Sequence, residues 1–239
     1  MRTLQQPLFT PETEWVPPDR LPDLSSYKEI AIDLETRDPS LTTMGSGAVR
    51  REGEVVGIAI AVEGWSGYFP IAHEGGGNMD RYLVLDWFEE GLHTTSTKIF
   101  HNAMYDVSWI RSLGFQINGG IVDTMVAASL CNENRYSYTL DSVAKEYVGM
   151  GKNEKLLQEA AKDWGINPKA EMWRLPAPFV GEYAEKDAEI TLKLWGAMQH
   201  EISKQDLWDV FNLETNLFPC LVDMKFKGVR VDIEKAAAV

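Results

Sequence analysis

The 239-residue chain is 44% hydrophobic and 25% charged, enough apolar material for one large globular domain with a buried core, or one domain plus an appendage. Its 36 acidic and 23 basic residues leave a net charge of −13, which argues against a broad basic face gripping duplex nucleic acid but leaves open an enzyme that takes a strand end. Two cysteines, Cys131 and Cys220, and four scattered histidines give no disulfide framework or zinc site, and no apolar run approaches a membrane span or a signal peptide, so a cytoplasmic protein is expected.

Residues 1–22 carry Pro7, Pro11, Pro17, Pro18 and Pro22 and read as an extended or loosely docked arm. Ile30-Ala31-Ile32 then leads into Asp33-Leu34-Glu35, a short apolar run suited to a buried strand whose end emerges with acids. Val55 to Val62 and Gly67 to Ile71, joined by a turn at Glu63-Gly64-Trp65, complete a three-strand meander. Asn78 to Leu92 has helical spacing, with Leu83, Trp87 and Phe88 on one stripe. Lys98-Ile99-Phe100 is a fourth strand, and Asn102 is placed to cap a helix that runs through Leu113 and ends at Gly114.

Gln116 to Val122 suggests a fifth strand, followed by helices over Thr124 to Cys131, Thr139 to Val148 and Asn153 to Trp164. Phe179 to Ile202 is a long helix and Asp206 to Phe226 another, with Pro219 expected to bend it. Gly228 to Asp232 reads as a short strand or turn. A meander followed by alternating strands and helices predicts an α/β fold. Residues 23–202 form its main domain, and 203–239 are a helical extension.

The chemistry is carried by carboxylates. Asp33 and Glu35, two apart on a strand, share a face. Alone the pair decides little, because an acid-x-acid pattern arises by chance about five times in a chain this acidic. An acid that closes a buried strand is less ordinary. Asn102 and Asp106, and likewise Tyr183 and Asp187, lie four apart on their helices, so each pair shares one helical face. Four crowded carboxylates repel one another unless cations sit among them, and magnesium and manganese favour oxygen ligands. Two such cations can deliver hydroxide to a phosphodiester and stabilise the departing alkoxide, while a neighbouring phenol orients the attacking water.

Three stretches, Ile32-Asp33-Leu34-Glu35-Thr36, His101-Asn102-Ala103-Met104-Tyr105-Asp106 and Tyr183-Ala184-Glu185-Lys186-Asp187-Ala188, resemble in order and spacing the tyrosine branch of the DEDD exonucleases. The likeness is specifically to the 3′–5′ proofreading domain of bacterial and phage family A DNA polymerases. Val122-Asp123-Thr124-Met125 and Tyr138 to Ala144 resemble the stretches between the second and third motifs, and coverage runs from about Leu24 to Ile202.

The resemblance implies a ribonuclease H-like mixed sheet flanked by helices. It implies that Asp33, Glu35, Asp106 and Asp187 hold two divalent cations, Mg2+ or Mn2+, with Tyr183 positioning the water. Thr36 and Asn102 would face the terminal nucleotide, and Asp123 is expected to be structural, or else to support the site from behind the ligands. The implied reaction releases nucleoside monophosphates from a DNA 3′ end, on single strands or frayed ends. Leu213 to Asp232 resembles the junction at which family A polymerases enter their polymerase region. The chain by itself is therefore expected to lack DNA synthesis, either as a piece of a larger polymerase or as a separately encoded exonuclease beside a polymerase subunit.

Tyr136 and Tyr138, next to Arg135 in a polar connection, are candidates to stack on a single strand. Trp87, Trp109, Trp164, Trp173 and Trp195 fall in apolar stripes and read as core. Gly75-Gly76-Gly77 and Gly149-Met150-Gly151-Lys152 fit no phosphate-loop pattern and read as turns. Two alternatives stand beside a DNA exonuclease: an RNA 3′-trimming enzyme of the same superfamily, since only contacts to the 2′ position tell the sugars apart, and a non-catalytic docking module that kept the fold.

Overall fold

A computed structural model describes residues 12–151 and 153–238. The early part of the expected arm, with Pro7 and Pro11, and Lys152 of the second glycine turn lie outside the described residues. Five strands form one mixed sheet: β1 (Glu29–Arg37), β2 (Glu54–Val62), β3 (Trp65–Pro70), β4 (Thr97–Phe100) and β5 (Ile121–Asp123), in the order β3-β2-β1-β4-β5. The β3-β2-β1 meander is antiparallel, and β4 and β5 add in parallel, which is the mixed α/β arrangement expected from the sequence.

Ten helices accompany the sheet among the described residues: α1 (Leu41–Met44), α2 (Gly47–Arg50), α3 (Arg81–Leu92), α4 (Ala103–Ser112), α5 (Thr124–Cys131), α6 (Leu140–Tyr147), α7 (Lys155–Trp164), α8 (Gly181–Lys204), α9 (Trp208–Lys227) and α10 (Ile233–Ala237). Two 3₁₀ turns, Met172–Arg174 and Ala177–Phe179, precede α8.

The period of two in β1 and β2 divides the interior. Ile30, Ile32, Leu34, Ile58, Ile60, Val62 and Phe69 join the apolar cluster of α3, α4 and α9. Ala31, Ala59, Ala61 and Tyr68 join that of α5 to α8. Small residues on this second face let α8 approach closely, meeting the sheet with its own buried Ala184 and Ala188. Asp33 and Glu35 fall on the same side as Ala31, so the close-packed helix face and the acids share one side of the sheet.

Several expectations need correction. The α3 stripe keeps Trp87 and Phe88 buried as expected, but Val84 and not Leu83 joins them: Leu83 is exposed in the first turn, where its N–H and that of Tyr82 donate to the Asp80 cap. Asn102 does not cap α4 with its side chain but sits left-handed at φ 69°. The cap comes from Asp123, which accepts from Asn102 N at 3.0 Å and Ala103 N at 2.8 Å, and from Met125 N at 2.9 Å for α5.

The fifth strand is shorter than Gln116 to Val122, because the chain turns at Gly119 (φ 78°) and the Asn118 carbonyl bends to accept from the buried Lys98 ammonium. Residues 228–232 form no strand, and Asp232 instead caps α10 through Lys235 N. Helix α9 runs on through Pro219. The described part of the arm is docked rather than loose: Trp15 packs on Tyr68 and donates to Glu185 at 3.0 Å, and the Pro22 carbonyl accepts from Trp87.

Candidate active site

Beyond Ala31 the ladder between β1 and β4 ends, because β4 closes at Phe100 and the chain turns into α4. The Leu34 N–H finds its acceptor on that helix instead, in Asp106 Oδ1 at 3.0 Å. A helix on one face of the sheet thereby delivers a carboxylate to the end of β1, where Asp33 and Glu35 stand. Asp123, through its bonds to the amide of Asn102 and to the first amide of α4, fixes the start of the helix that carries Asp106. It is structural, as expected.

The other partners arrive on α8. Asp187 is buried at 2% exposure and Tyr183 half-buried one turn earlier. The Tyr183 hydroxyl donates to Asp187, and burial together with the charges of Asp187, Glu35 and Asp33 holds the phenol far above its ordinary range. Asp106 is raised well above an ordinary carboxyl, first by burial and then by the charge of Asp33. Asp33 is therefore felt both by the acid on α4 and by the phenol on α8. The fold brings Asp33, Glu35, Asp106, Tyr183 and Asp187 into one electrostatic neighbourhood.

The donors are oxygens throughout, three of the four acids are buried (Glu35, Asp106 and Asp187), and Asp106 is driven toward its neutral form. This donor set fits hard divalent cations, which relieve the repulsion that raises Asp106. Among the described residues, no three His, Cys, Asp or Glu side chains close into a ligating group.

The expected substrate-facing residues are found in different states. Thr36 shares a 2.6 Å hydrogen bond with the hydroxyl of Tyr105, a phenol that burial pushes up to about 12. Asn102 is exposed at the start of α4. Tyr136 is fully exposed, whereas Tyr138 is half-buried, donates its hydroxyl to the Asn132 carbonyl at 2.7 Å, and contacts His101 Nε2 through its own carbonyl. Arg135 is turned inward onto Glu146, Ser142 and Ser137. Of this trio, Tyr136 alone presents its ring fully to solvent. Trp87, Trp109, Trp164 and Trp195 are core residues, as expected, and Trp173 is half-buried.

Sequence reasoning missed Tyr68 and His73. Tyr68 is fully buried, lies on the acidic side of the sheet, and places its hydroxyl 2.6 Å from His73 Nε2. Its position was partly legible: the two-residue turn Glu63-Gly64 fixes Ala59 opposite Tyr68. The pairing of Asp33 with Ala59 was not, since the link from β1 to β2 carries two short helices and sets no register.

A family model for the 3′–5′ exonuclease domain of family A DNA polymerases matches residues 18–203. A DNA-directed DNA polymerase of Pseudomonas phage M6 is 41% identical over 243 residues, covering 98% of this chain and 37% of the relative. The DNA polymerase DpoZ of Salmonella phage PMBT28 is 32% identical, covering 90% of this chain and 33% of the relative. The chain thus spans about a third of the length of these polymerases.

Among solved structures, Escherichia coli RNase D superposes with a TM-score of 0.58 at 18% identity, covering 90% of this chain and 51% of that one. Brucella melitensis NrnC with bound Mg2+ also superposes with a TM-score of 0.58, at 16% identity, covering 86% and 89%. At such identities the likeness shows the fold, which is ribonuclease H-like as expected. Among the described residues no helix is long and apolar enough to cross a membrane. With the family pattern matched from residue 18 to residue 203, the chain belongs to the 3′–5′ exonuclease domains of family A DNA polymerases.

Proposed function

We propose that this domain hydrolyses DNA from its 3′ end to nucleoside monophosphates with two divalent cations, acting on single strands or frayed ends as a proofreading-type exonuclease. The observation that carries this reading is that β1, α4 and α8 bring four carboxylates and a half-buried phenol together in a chain of exonuclease family. Asp33, Glu35, Asp106 and Asp187 would hold the cations. Bound there, the cations would acidify a water and neutralise the charge that builds on the phosphate oxygens.

Tyr183 stays protonated at any working pH, because burial and three neighbouring carboxylates oppose its ionisation. With its one proton given to Asp187, its oxygen is left to accept from the nucleophilic water and orient it, without serving as the base. Asp187 accepts from that hydroxyl and fixes its direction. Asp106, tied to Leu34 N, holds α4 against the strand that carries the other two acids. Thr36, its hydroxyl held by Tyr105, and Asn102 face the terminal nucleotide, and Tyr136, with Tyr138 beside it, supplies a surface on which an upstream base stacks.

A polymerase portion, in the same or a separate chain, is the partner that fits the length of the relatives. The test is digestion of a 5′-labelled single-stranded DNA with Mg2+ or Mn2+. The chain is expected to shorten it one nucleotide at a time, and D33A/E35A to leave it intact. Metal-dependent shortening by D33A/E35A at the unsubstituted rate would remove the assigned site.

A second reading, RNA 3′ trimming, is favoured by the fold shared with RNase D, described as an exoribonuclease involved in structured RNA processing. The polymerase relatives favour DNA. Matched DNA and RNA oligonucleotides decide between them, and faster loss of the RNA would reverse the preference.

A further inference from the structure

Behind the carboxylates of β1 lies a buried polar pair that the reaction described above does not use. Register places it. Glu35 is opposite Gly57 and Asp33 opposite Ala59 across the β1-β2 ladder, and Ala59 is opposite Tyr68 across the β2-β3 ladder. Residues directly opposite in an antiparallel pair point to the same face, so Asp33, Glu35 and Tyr68 share one side. The Tyr68 ring lies back over β2 toward Glu35: a methyl group at position 57 would stand 1.9 Å from the Tyr68 hydroxyl oxygen. Only glycine leaves that oxygen room beside the residue facing Glu35.

The direction of the hydroxyl is set from the far side. His73, at 3% exposure, has Nδ1 3.0 Å from the Leu175 carbonyl and Nε2 2.6 Å from the Tyr68 oxygen. A carbonyl can only accept, so Nδ1 carries the proton, Nε2 is the acceptor, and the Tyr68 O–H donates to it. Burial holds the His73 pKa down at about 4, which keeps this neutral form in place near neutrality. The imidazole is also held through its backbone, with Asn78 Oδ1 accepting from His73 N and Asn78 Nδ2 donating to His73 O. Tyr68 therefore presents its oxygen, and not its proton, toward the acids.

We infer that Tyr68 and His73 are positioning residues for the carboxylate pair: His73 holds the Tyr68 proton away from Glu35 and Asp33, so that no buried hydroxyl competes with a cation for their oxygens. The inference rests on the metal-dependent reading of the site. A hydroxyl released from His73 would be free to turn toward Glu35 and Asp33, the carboxylates whose charge already bears on it. A carboxylate oxygen that accepts from a buried phenol has that lone pair occupied and is a poorer ligand through it.

The test is calorimetric titration of the full chain with Mn2+ alone. H73N keeps a donor toward the Leu175 carbonyl and removes the acceptor for Tyr68. It is expected to weaken Mn2+ binding on the order of tenfold. Y68F, which has no proton to misdirect, is expected to bind within about twofold of the unsubstituted chain, and Y68F/H73N to recover the affinity that H73N loses. H73Q, with an acceptor at the Nε2 position, is expected to retain binding.

A purely structural role predicts the opposite pattern, with the double variant worse than either single one. If Y68F loses as much as H73N, or the double variant is not restored, the inference falls while the metal site stands. If the unsubstituted chain takes up no Mn2+, the reading of the site falls and the inference with it. Should H73N fail to fold, a tenfold loss of Mn2+ affinity in Y68F alone is enough to overturn the inference.

Discussion

At the scale of single residues, the carboxyl of Asp106 sets stability against function. It accepts from Leu34 N, yet burial and Asp33 push its pKa upward, so its charged form is disfavoured in the fold at neutral pH. Asparagine keeps the amide oxygen for Leu34 and removes the charge. D106N is expected to stabilise the metal-free protein while abolishing hydrolysis, checked by thermal unfolding in chelator. A destabilised D106N would mean that the carboxylate is compensated in the protein alone.

Tyr183 gives a second prediction. Because Tyr183 is an orienting group and not a base, its replacement in Y183F should lower kcat about 100-fold with KM little changed and with no shift in the pH profile. His73 gives a third. Its pKa, lowered from 6.5 to about 4, means that the unfolded chain takes up the proton first, so its contribution is complete above pH 6.5 and is lost as pH falls through 4. The loss amounts to about 3 kcal/mol. Urea unfolding at pH 7 and pH 4 should show H73N lacking that part of the dependence, and parallel profiles would refute it. The titration of the acids is common to both proteins and cancels in the difference.

At the scale of elements, the sites where local chemistry and hydrophobic period agreed were legible. The strand ending in Asp33 and Glu35, the hairpin at Glu63-Gly64, and the helices carrying Asp106 and Asp187 all have a period and a stop that neighbours in sequence supply. What escaped depends on partners far along the chain. Asn102 has the composition of a cap, but its amide is claimed by Asp123 from 21 residues away, and Asn102 itself adopts the left-handed conformation. The run from Gln116 is apolar enough for a strand, but its carbonyl at Asn118 is drawn to the Lys98 ammonium, which also takes the carbonyls of Thr94 and Ser96.

Tyr68 and His73 carry no motif, and only the register of three strands reveals what they face. Asp123 is the element-scale prediction. One carboxylate serves the amide ends of both α4 and α5, so D123A should cost about 2–3 kcal/mol, and D123N less, in denaturant unfolding at constant slope. A cost below 0.5 kcal/mol would mean that water replaces these bonds.

At the scale of the whole molecule, the two faces of the sheet are what make a site of distant residues. The alanine and glycine face under α8 lets Tyr183 and Asp187 descend to the sheet, while the bulky face holds α4, whose Asp106 reaches around the end of β1. The acids are therefore brought together by packing energy and against their own repulsion, within a chain that already carries a net charge of −13. Any ligand that cancels that repulsion only in the folded state must stabilise the whole fold. Mn2+ at about 100 times its dissociation constant contributes about 2.7 kcal/mol, which in a domain of this size raises the melting temperature by roughly 5–10 °C. Sodium at equal ionic strength should do far less, since it screens from solvent and three of the four acids are buried. D106N should begin from a higher melting temperature and show little response to Mn2+. A response to Mn2+ that survives unchanged in D106N would place the bound ion elsewhere on the molecule.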